Sequence, residues 1–431
     1  MTHTILVLVL IFVILLFSNV PIAFCIALAT VVTMMFSMAA EPAVTQVAQK
    51  IATGLDSFAL LAIPFFILSG QLMGRGGIAR RLINLAKAFV GILPGGLAYV
   101  NIFACMLFGA ISGSAVAATS AIGSFMIPEM NRAGYNKNFN AAVNATSATT
   151  GLLIPPSNIL IVYSLASGTV SVAALFIAGY FPGILTGLLL MVVAATIALI
   201  KDYRGGERIG FLEMAKRFAD SFLSLLLVVI VIGGIIAGFF TATEAAAIAV
   251  LYSFFLSVVV YREVKIKDLP GILRQTIITN AVVMLLIGTS MALSWVLAYE
   301  NIPQNISAAL IALTESKIII LLIINVILLA VGTFMDATPA VLIFTPIFLP
   351  VVIKLGVDPL HFGILMILNL CIGICTPPVG AVLFVGCAVA DTKITQIIKW
   401  LLPFFIAMII SLMLVTYIPQ ITLFLPRVLG F

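Results

Sequence analysis

The chain has 431 residues, 63% of them hydrophobic and only 8% charged, with a formal net charge of +6 and a mean hydropathy of +1.30. Soluble domains carry about 25% charged residues, so a soluble enzyme is excluded, and the apolar runs lack the strand alternation of a membrane β-barrel. Composition predicts an all-α polytopic membrane protein, whose positive charge reports topology and not nucleic-acid binding.

The first apolar run continues into further membrane segments without a charged n-region, so no cleavable signal is expected. Residues 2–17 and 22–37 read as two helices in a tight hairpin, split at Ser18-Asn19-Val20-Pro21, because Pro suits a helix start. Residues 38–54 suit a short interfacial helix and 58–74 a span. Residues 75–87 carry Arg75, Arg80, Arg81 and Lys87 and read as a basic surface arm. Residues 95–130 predict a re-entrant hairpin of two half-length helices around a Gly/Ser tip at 109–114. Such non-helical backbone is tolerated at membrane depth only under cover of protein or a water-filled cavity. Residues 139–167 read as a transmembrane helix broken at 151–157, 172–200 as the last span of this half, and 201–217 as a charged linker.

The plan then recurs. Residues 223–240 and 245–261 flank Thr241-Ala242-Thr243-Glu244, where Glu244 reads more simply as a first-turn carboxylate than as an ion ligand. A basic segment (262–274), a span (276–298) and an arm (299–317) lead to a second hairpin over 318–353, whose tip lies at 332–339. A second broken helix covers 361–390, interrupted at 373–380, and 400–425 is the last span. Pro128, Gly134, Gly151, Pro155 and Pro156 recur as Pro350, Gly356, Gly373, Pro377 and Pro378, each pair 222 positions apart. Residues 1–210 and 211–431 therefore read as two repeats. Counting spans places 17 of the 21 Lys and Arg on one side, against Lys50, Lys317, Lys354 and Arg427 on the other. The crowded side should be cytoplasmic, which puts both termini outside and gives the repeats inverted topology.

Paired interruptions in corresponding halves point to a transporter binding site near the midplane. Unwound carbonyls and hydroxyls suit a hard cation such as Na⁺, and half-helix N-termini suit an anion. The first site would draw on Ser112, Gly113 and Ser114 with Thr150, Gly151, Ile154, Pro155 and Ser157. The second would draw on Gly332, Thr333, Asp336 and Thr338 with Gly373, Thr376, Pro378 and Val379. For an organic acid the candidates are Ser112, Ser114, Thr150, Asn158, Asp336 and Thr338. Asp336 is the one carboxylate in either tip; intramembrane acids are costly and functional by default, although Asp336 could instead cap the following helix. The Ser, Thr and Asn residues, including Thr149, Asn140 and Asn144, could equally join helices by hydrogen bonds. Neither tip nor break contains Arg or Lys, so an anion would be held by backbone and hydroxyl donors unless a scaffold residue reaches in. Cys25, Cys105, Cys371, Cys375 and Cys387 read as packing residues, and His3 and His361 suggest no chemistry.

The segments GTFMDATPAVLIFTPIFLPVV, GLLIPPSN and GICTPPVG resemble the large membrane subunit of tripartite ATP-independent periplasmic (TRAP) transporters, the DctM-like group, and the resemblance covers essentially the whole chain. It implies a Na⁺-driven importer of the ion-transporter superfamily that works as an elevator in the bacterial inner membrane. It also implies two partners, a small four-helix DctQ-like membrane subunit, expected as a separate chain, and a DctP-like periplasmic binding protein that delivers organic acids such as C4-dicarboxylates or sialic acid. A stand-alone Na⁺/dicarboxylate symporter is the alternative within transport. An intramembrane enzyme would need a His/Asp cluster, a Ser–Lys pair or a metal set, and a channel would show a rotationally repeated ring; inverted repeats favour alternating access.

Overall fold

A computed structural model describes residues 2–203, 210–314, 316–377 and 380–431. Pro378 and Val379, candidates for the second site, and Arg204 and Arg208, two of the 17 basic residues on the crowded side, lie outside the described residues. The first half contains α1 (Thr2–Phe17), α2 (Ile22–Ser37), α3 (Ala40–Leu55), α4 (Ala62–Arg75), α5 (Ile78–Val90), α6 (Gly96–Ser112), α7 (Ala115–Arg132), α8 (Lys137–Thr150), α9 (Asn158–Ser167) and α10 (Val172–Ile200). The second contains α11 (Phe211–Ile236), α12 (Ala242–Phe254), α13 (Leu269–Tyr299), α14 (Ile302–Leu313), α15 (Lys317–Gly332), α16 (Ala337–Lys354), α17 (Pro359–Gly373), α18 (Ala381–Ala390), α19 (Ile394–Tyr417) and α20 (Gln420–Val428). Among the described residues there is no β-strand, and seven helices are long and apolar enough to cross a membrane.

Local chemistry explains the boundaries. The first apolar stretch is two helices: Asn19 adopts a left-handed φ of 60° and Pro21 precedes α2. Thr241 and Glu244 close a capping box at the start of α12, with the Glu244 carboxylate accepting from the Thr241 amide at 2.8 Å, so this acid caps a helix. Three extents differ from the sequence expectation. Residues 211–217 are the first turns of α11 and not linker. The end of the basic segment, from Leu269, and the span of the second half merge into the single 31-residue α13. The hairpin limbs are longer than half-length: α6 and α7 have 17 and 18 residues, about 26 and 27 Å at 1.5 Å per residue. The helix runs on through Gly109–Ser112 because it stops only where Gly113 takes up a left-handed φ of 61°, a C-cap conformation that glycine adopts without strain.

The helices of the two halves fall in the same register. Shifting the bounds of α7 by 222 positions gives those of α16, residues 337–354. Packing recurs too. α6 and α7 pack on α8 as α15 and α16 pack on α17, and α10 meets α17 as α19 meets α8. Each hairpin also returns against the broken helix of the other half, α7 on α18 and α16 on α9. These helices form one block. A second block joins α4 to α12, and α2, α3 and α4 to α13, with α5 and α14 linking the blocks. Ser69 of α4 bonds Ser253 of α12 at 2.8 Å, the small polar contact that joins helices where lipid gives no hydrophobic drive.

The two helices that enter the breaks lie at the centre of the core block. Every residue of α8 from Phe139 to Thr150, and of α17 from His361 to Gly373, is buried. Their polar groups are largely consumed internally. Asn144 donates to the Thr119 carbonyl at 2.8 Å, and Asn369 donates to the Asn325 carbonyl at 2.9 Å. The His361 ring lies 2.8 Å from the Thr422 hydroxyl and 3.3 Å from the Thr416 carbonyl.

Each hairpin meets its break at a pair of glycines. A Cβ on Gly109 would stand 2.7 Å from the Gly151 Cα, and one on Gly332 would stand 2.9 Å from the Gly373 Cα. Such backbone-to-backbone contact admits no side chain. Gly151→Ala and Gly373→Ala are each expected to cost about 1–3 kcal/mol through overpacking. Gly233→Ala should be neutral or stabilising, because nothing lies within 4 Å of a Cβ there and Ala is the better helix former. Melting of the purified protein by intrinsic fluorescence checks this; equal melting temperatures for all three would refute the close-packing argument.

Candidate functional site

Both tips open into one cavity of about 690 Å³. The core block contributes Ser112, Gly113, Ser114, Ala115 and Ala117 from the first tip and Asp336, Ala337 and Thr338 from the second, with Leu152, Asn158 and Ile374 from the breaks. The other wall comes from Gly70, Gln71 and Arg75 on α4 and Gln275 and Thr279 on α13. Where the blocks touch, a Cβ on Gly70 would lie 3.0 Å from the Ser112 carbonyl oxygen, so the bare backbone of α4 rests on the end of α6.

Three helices start at this cavity. α7 begins beside Ser114, which accepts from the Ala117 amide at 3.2 Å. α9 begins at Asn158 and α16 at Ala337. Helix N-termini present unsatisfied N–H groups and partial positive charge, a natural anion site. Asp336 holds the N-cap position of α16, with its carboxylate beside the Ala337 and Thr338 amides, and lines the cavity.

The remaining candidates behave differently. The Thr150 hydroxyl donates to the Ser147 carbonyl at 2.6 Å and does not line the cavity; Thr149 likewise donates to Thr146 at 2.8 Å. Gly151, Gly332 and Gly373 serve the close crossings described above. Thr333 and Thr376 donate to the Ala330 and Ile372 carbonyls, each at 2.7 Å, which leaves their oxygen lone pairs free as acceptors. Ile154 and Pro155 lie in the first break behind the cavity wall, and Ile154 packs against Gly183 of α10.

The first break holds the unusual chemistry. The Ser157 Oγ and Asn158 Oδ1 are buried with no hydrogen-bond partner, and a buried unpaired acceptor costs about 1–3 kcal/mol. Asn158 also meets the first tip, since a Cβ on Gly113 would lie 3.1 Å from its Nδ2. Both are neutral oxygens with free lone pairs, a donor type that a hard cation accepts, so the residues present fit Na⁺ as a transported ion. Among the described residues no group of three or more His, Cys, Asp or Glu side chains could hold a metal ion.

Gln71, Arg75, Gln275 and Thr279 were not read as site residues from the sequence. A signal was present: Gln71 and Arg75, like Gln275 and Thr279, are polar pairs four apart, hence on one helix face, beside otherwise apolar spans.

A family profile described as "Tripartite ATP-independent periplasmic transporter, DctM component" matches residues 8–421. The protein YgiK of Salmonella typhimurium is 53% identical over 96% of this chain and 95% of its own length. The C4-dicarboxylate TRAP transporter large permease protein DctM of Pseudomonas aeruginosa is 43% identical over 90% of each chain. The sialic acid TRAP transporter large permease protein SiaM of Vibrio cholerae is 39% identical over 96% of each. Among solved structures, the Alcanivorax borkumensis YdaH transporter superposes with a TM-score of 0.65 over 87% of this chain and 88% of that one, at 14% identity. That likeness is one of fold.

The unpaired oxygens generate a direct test. NaCl, titrated against choline chloride, should raise the melting temperature of the purified protein by mass action. Ser157→Ala should abolish this rise while leaving the Na⁺-free melting temperature unchanged or higher, since it deletes a buried unpaired hydroxyl. An undiminished Na⁺ effect in the variant would remove Ser157 from the cation site.

Proposed function

Because the chain belongs to the DctM component family of tripartite ATP-independent periplasmic transporters, and is therefore a transporter permease subunit and not an enzyme, we propose that it imports a small organic acid by Na⁺-coupled secondary transport. The observation that carries this reading is the convergence of three helix N-termini on one cavity, next to two buried oxygens that lack donors. The first feature suits a carboxylate and the second a cation. The substrate class is that of the relatives' names, a C4-dicarboxylate or a sugar acid such as sialic acid.

Transport proceeds by displacement of the core block, α6–α10 with α15–α20, against the scaffold of α1–α4 and α11–α13. The shared register of the halves and their paired packings support two inverted repeats. The excess of Lys and Arg on one side supports a cytoplasmic location for that side, with both termini periplasmic. The cavity runs from the tips along α7 as far as Ser124 and reaches the end of α4 and the start of α13. It therefore leads toward the basic side, and the conformation is inward-open. A small membrane subunit supports the scaffold, and a periplasmic binding protein delivers the substrate. A stand-alone symporter is disfavoured, because the DctM and SiaM relatives are named as components of TRAP transporters.

Proteoliposomes holding the permease with its small subunit test the reading. Radiolabelled succinate, isethionate and N-acetylneuraminate are offered with and without the cognate binding protein. Uptake of one acid should require both an inward Na⁺ gradient and the binding protein, and Asp336→Asn should reduce it by at least tenfold while insertion is unchanged. Uptake independent of Na⁺ would overturn the coupling; uptake without the binding protein would restore the stand-alone alternative.

A further inference from the structure

The scaffold wall of the cavity carries a cation that the tips and breaks lack. Arg75 sits in the last turn of α4 and lines the cavity, and among the described residues the only other charged side chain lining it is Asp336, on the second tip. The neighbouring basic residues are engaged. Arg80 and Arg81 share Glu263 at 3.9 and 3.2 Å, and Lys87 meets Glu129 at 2.6 Å. Among the described residues Arg75 has no carboxylate within ion-pair distance. Its guanidinium lies against Gly271 of α13, where a Cβ would be 3.7 Å from Nη1, so the absence of a side chain there keeps room beside it. Around it the wall offers Gln71, Gln275 and Thr279, neutral groups that can hydrogen-bond an oxyanion without competing for the charge.

We propose that Arg75 is the inward-side carboxylate-binding residue of the transport path, a specificity residue supplied by the scaffold and not by the moving core. This rests on the uptake reading above. Guanidinium is the group best shaped for a carboxylate, which it meets through paired N–H donors. Asp336 repels an acid, and Arg75 adds a full positive charge, on the opposite wall, to that of the helix N-termini. α4 packs on α12 and α13, so Arg75 stays in place when the tips move. It meets the substrate only in the inward-open state, and it therefore sets affinity on the cytoplasmic face alone. A bland account, in which Arg75 merely adds to the positive-inside count or complements the C-terminal end of α4, predicts no effect inside the cavity.

Two measurements on the reconstituted complex separate these accounts. In the first, Ser124→Cys places a reporter on the cavity-lining face of α7, against a background of native cysteines that are all buried. Its labelling from the cytoplasmic side is compared for sulfonatoethyl and trimethylammonium-ethyl methanethiosulfonates. The anionic-to-cationic rate ratio should fall about fourfold with Arg75→Gln, as expected for losing one charge roughly 10 Å away in water. It should recover with Arg75→Lys and remain unchanged with the distant control Arg427→Gln on α20. In the second, the transported acid of the panel is titrated on the cytoplasmic face in exchange assays. Arg75→Gln should raise its internal half-saturation by about tenfold, the loss of one charged hydrogen bond, with the external requirement for loaded binding protein unaltered. An unchanged labelling ratio, or an unmoved internal half-saturation, overturns the proposal. If the wild type transports none of the acids while the ratio still follows Arg75, the uptake reading fails and the anion-attracting role of Arg75 stands.

Discussion

The architecture turns on one constraint: a helix that stops inside an apolar protein leaves backbone groups that something must cover. Here the cover is glycine-on-glycine contact. Gly109 lies on Gly151 in the first half and Gly332 on Gly373 in the second, which lets each hairpin press directly on the break beside it. With side chains at these positions the hairpins would stand off, and the unwound segments would face the membrane interior. The same contacts bring the starts of α7, α9 and α16 to a common space. The cavity is thus a consequence of how the breaks are protected.

A second consequence follows from the exchange of partners between halves. α7 rests on α18 and α16 on α9, so the core block cannot be divided at the midpoint of the chain without exposing both breaks. The scaffold rests bare backbone on it at Gly70 and Ser112, and α13 packs against α16.

The charges are distributed in keeping with that division. Asp336 belongs to the core block, at the start of α16, whereas Arg75 belongs to the scaffold. The two opposite charges line one cavity from different blocks. Thr149 and Thr150, by contrast, donate back to carbonyls of their own helix, and Asn144 donates to α7, so these side chains organise the helix that leads into the break.

The amino-acid sequence by itself determined the all-helical membrane class, the recurrence of Gly and Pro at a spacing of 222 residues and the approximate place of the interruptions. Apolar run lengths and the placing of Gly and Pro are local properties, and helix starts and stops follow from local backbone chemistry. Pro155, Pro156 and Pro377 mark breaks without knowledge of any neighbour. Only the tertiary structure decided that Ser157 and Asn158 are left without donors, that Thr150 turns its hydroxyl back on α8, and that α6 runs on to Gly113. It alone placed Arg75, Gln71, Gln275 and Thr279 opposite the tips. Those outcomes depend on which helix faces which across some 200 residues of chain, and a basic residue at the end of an apolar span reads the same in sequence whether it faces the cytoplasm or a cavity.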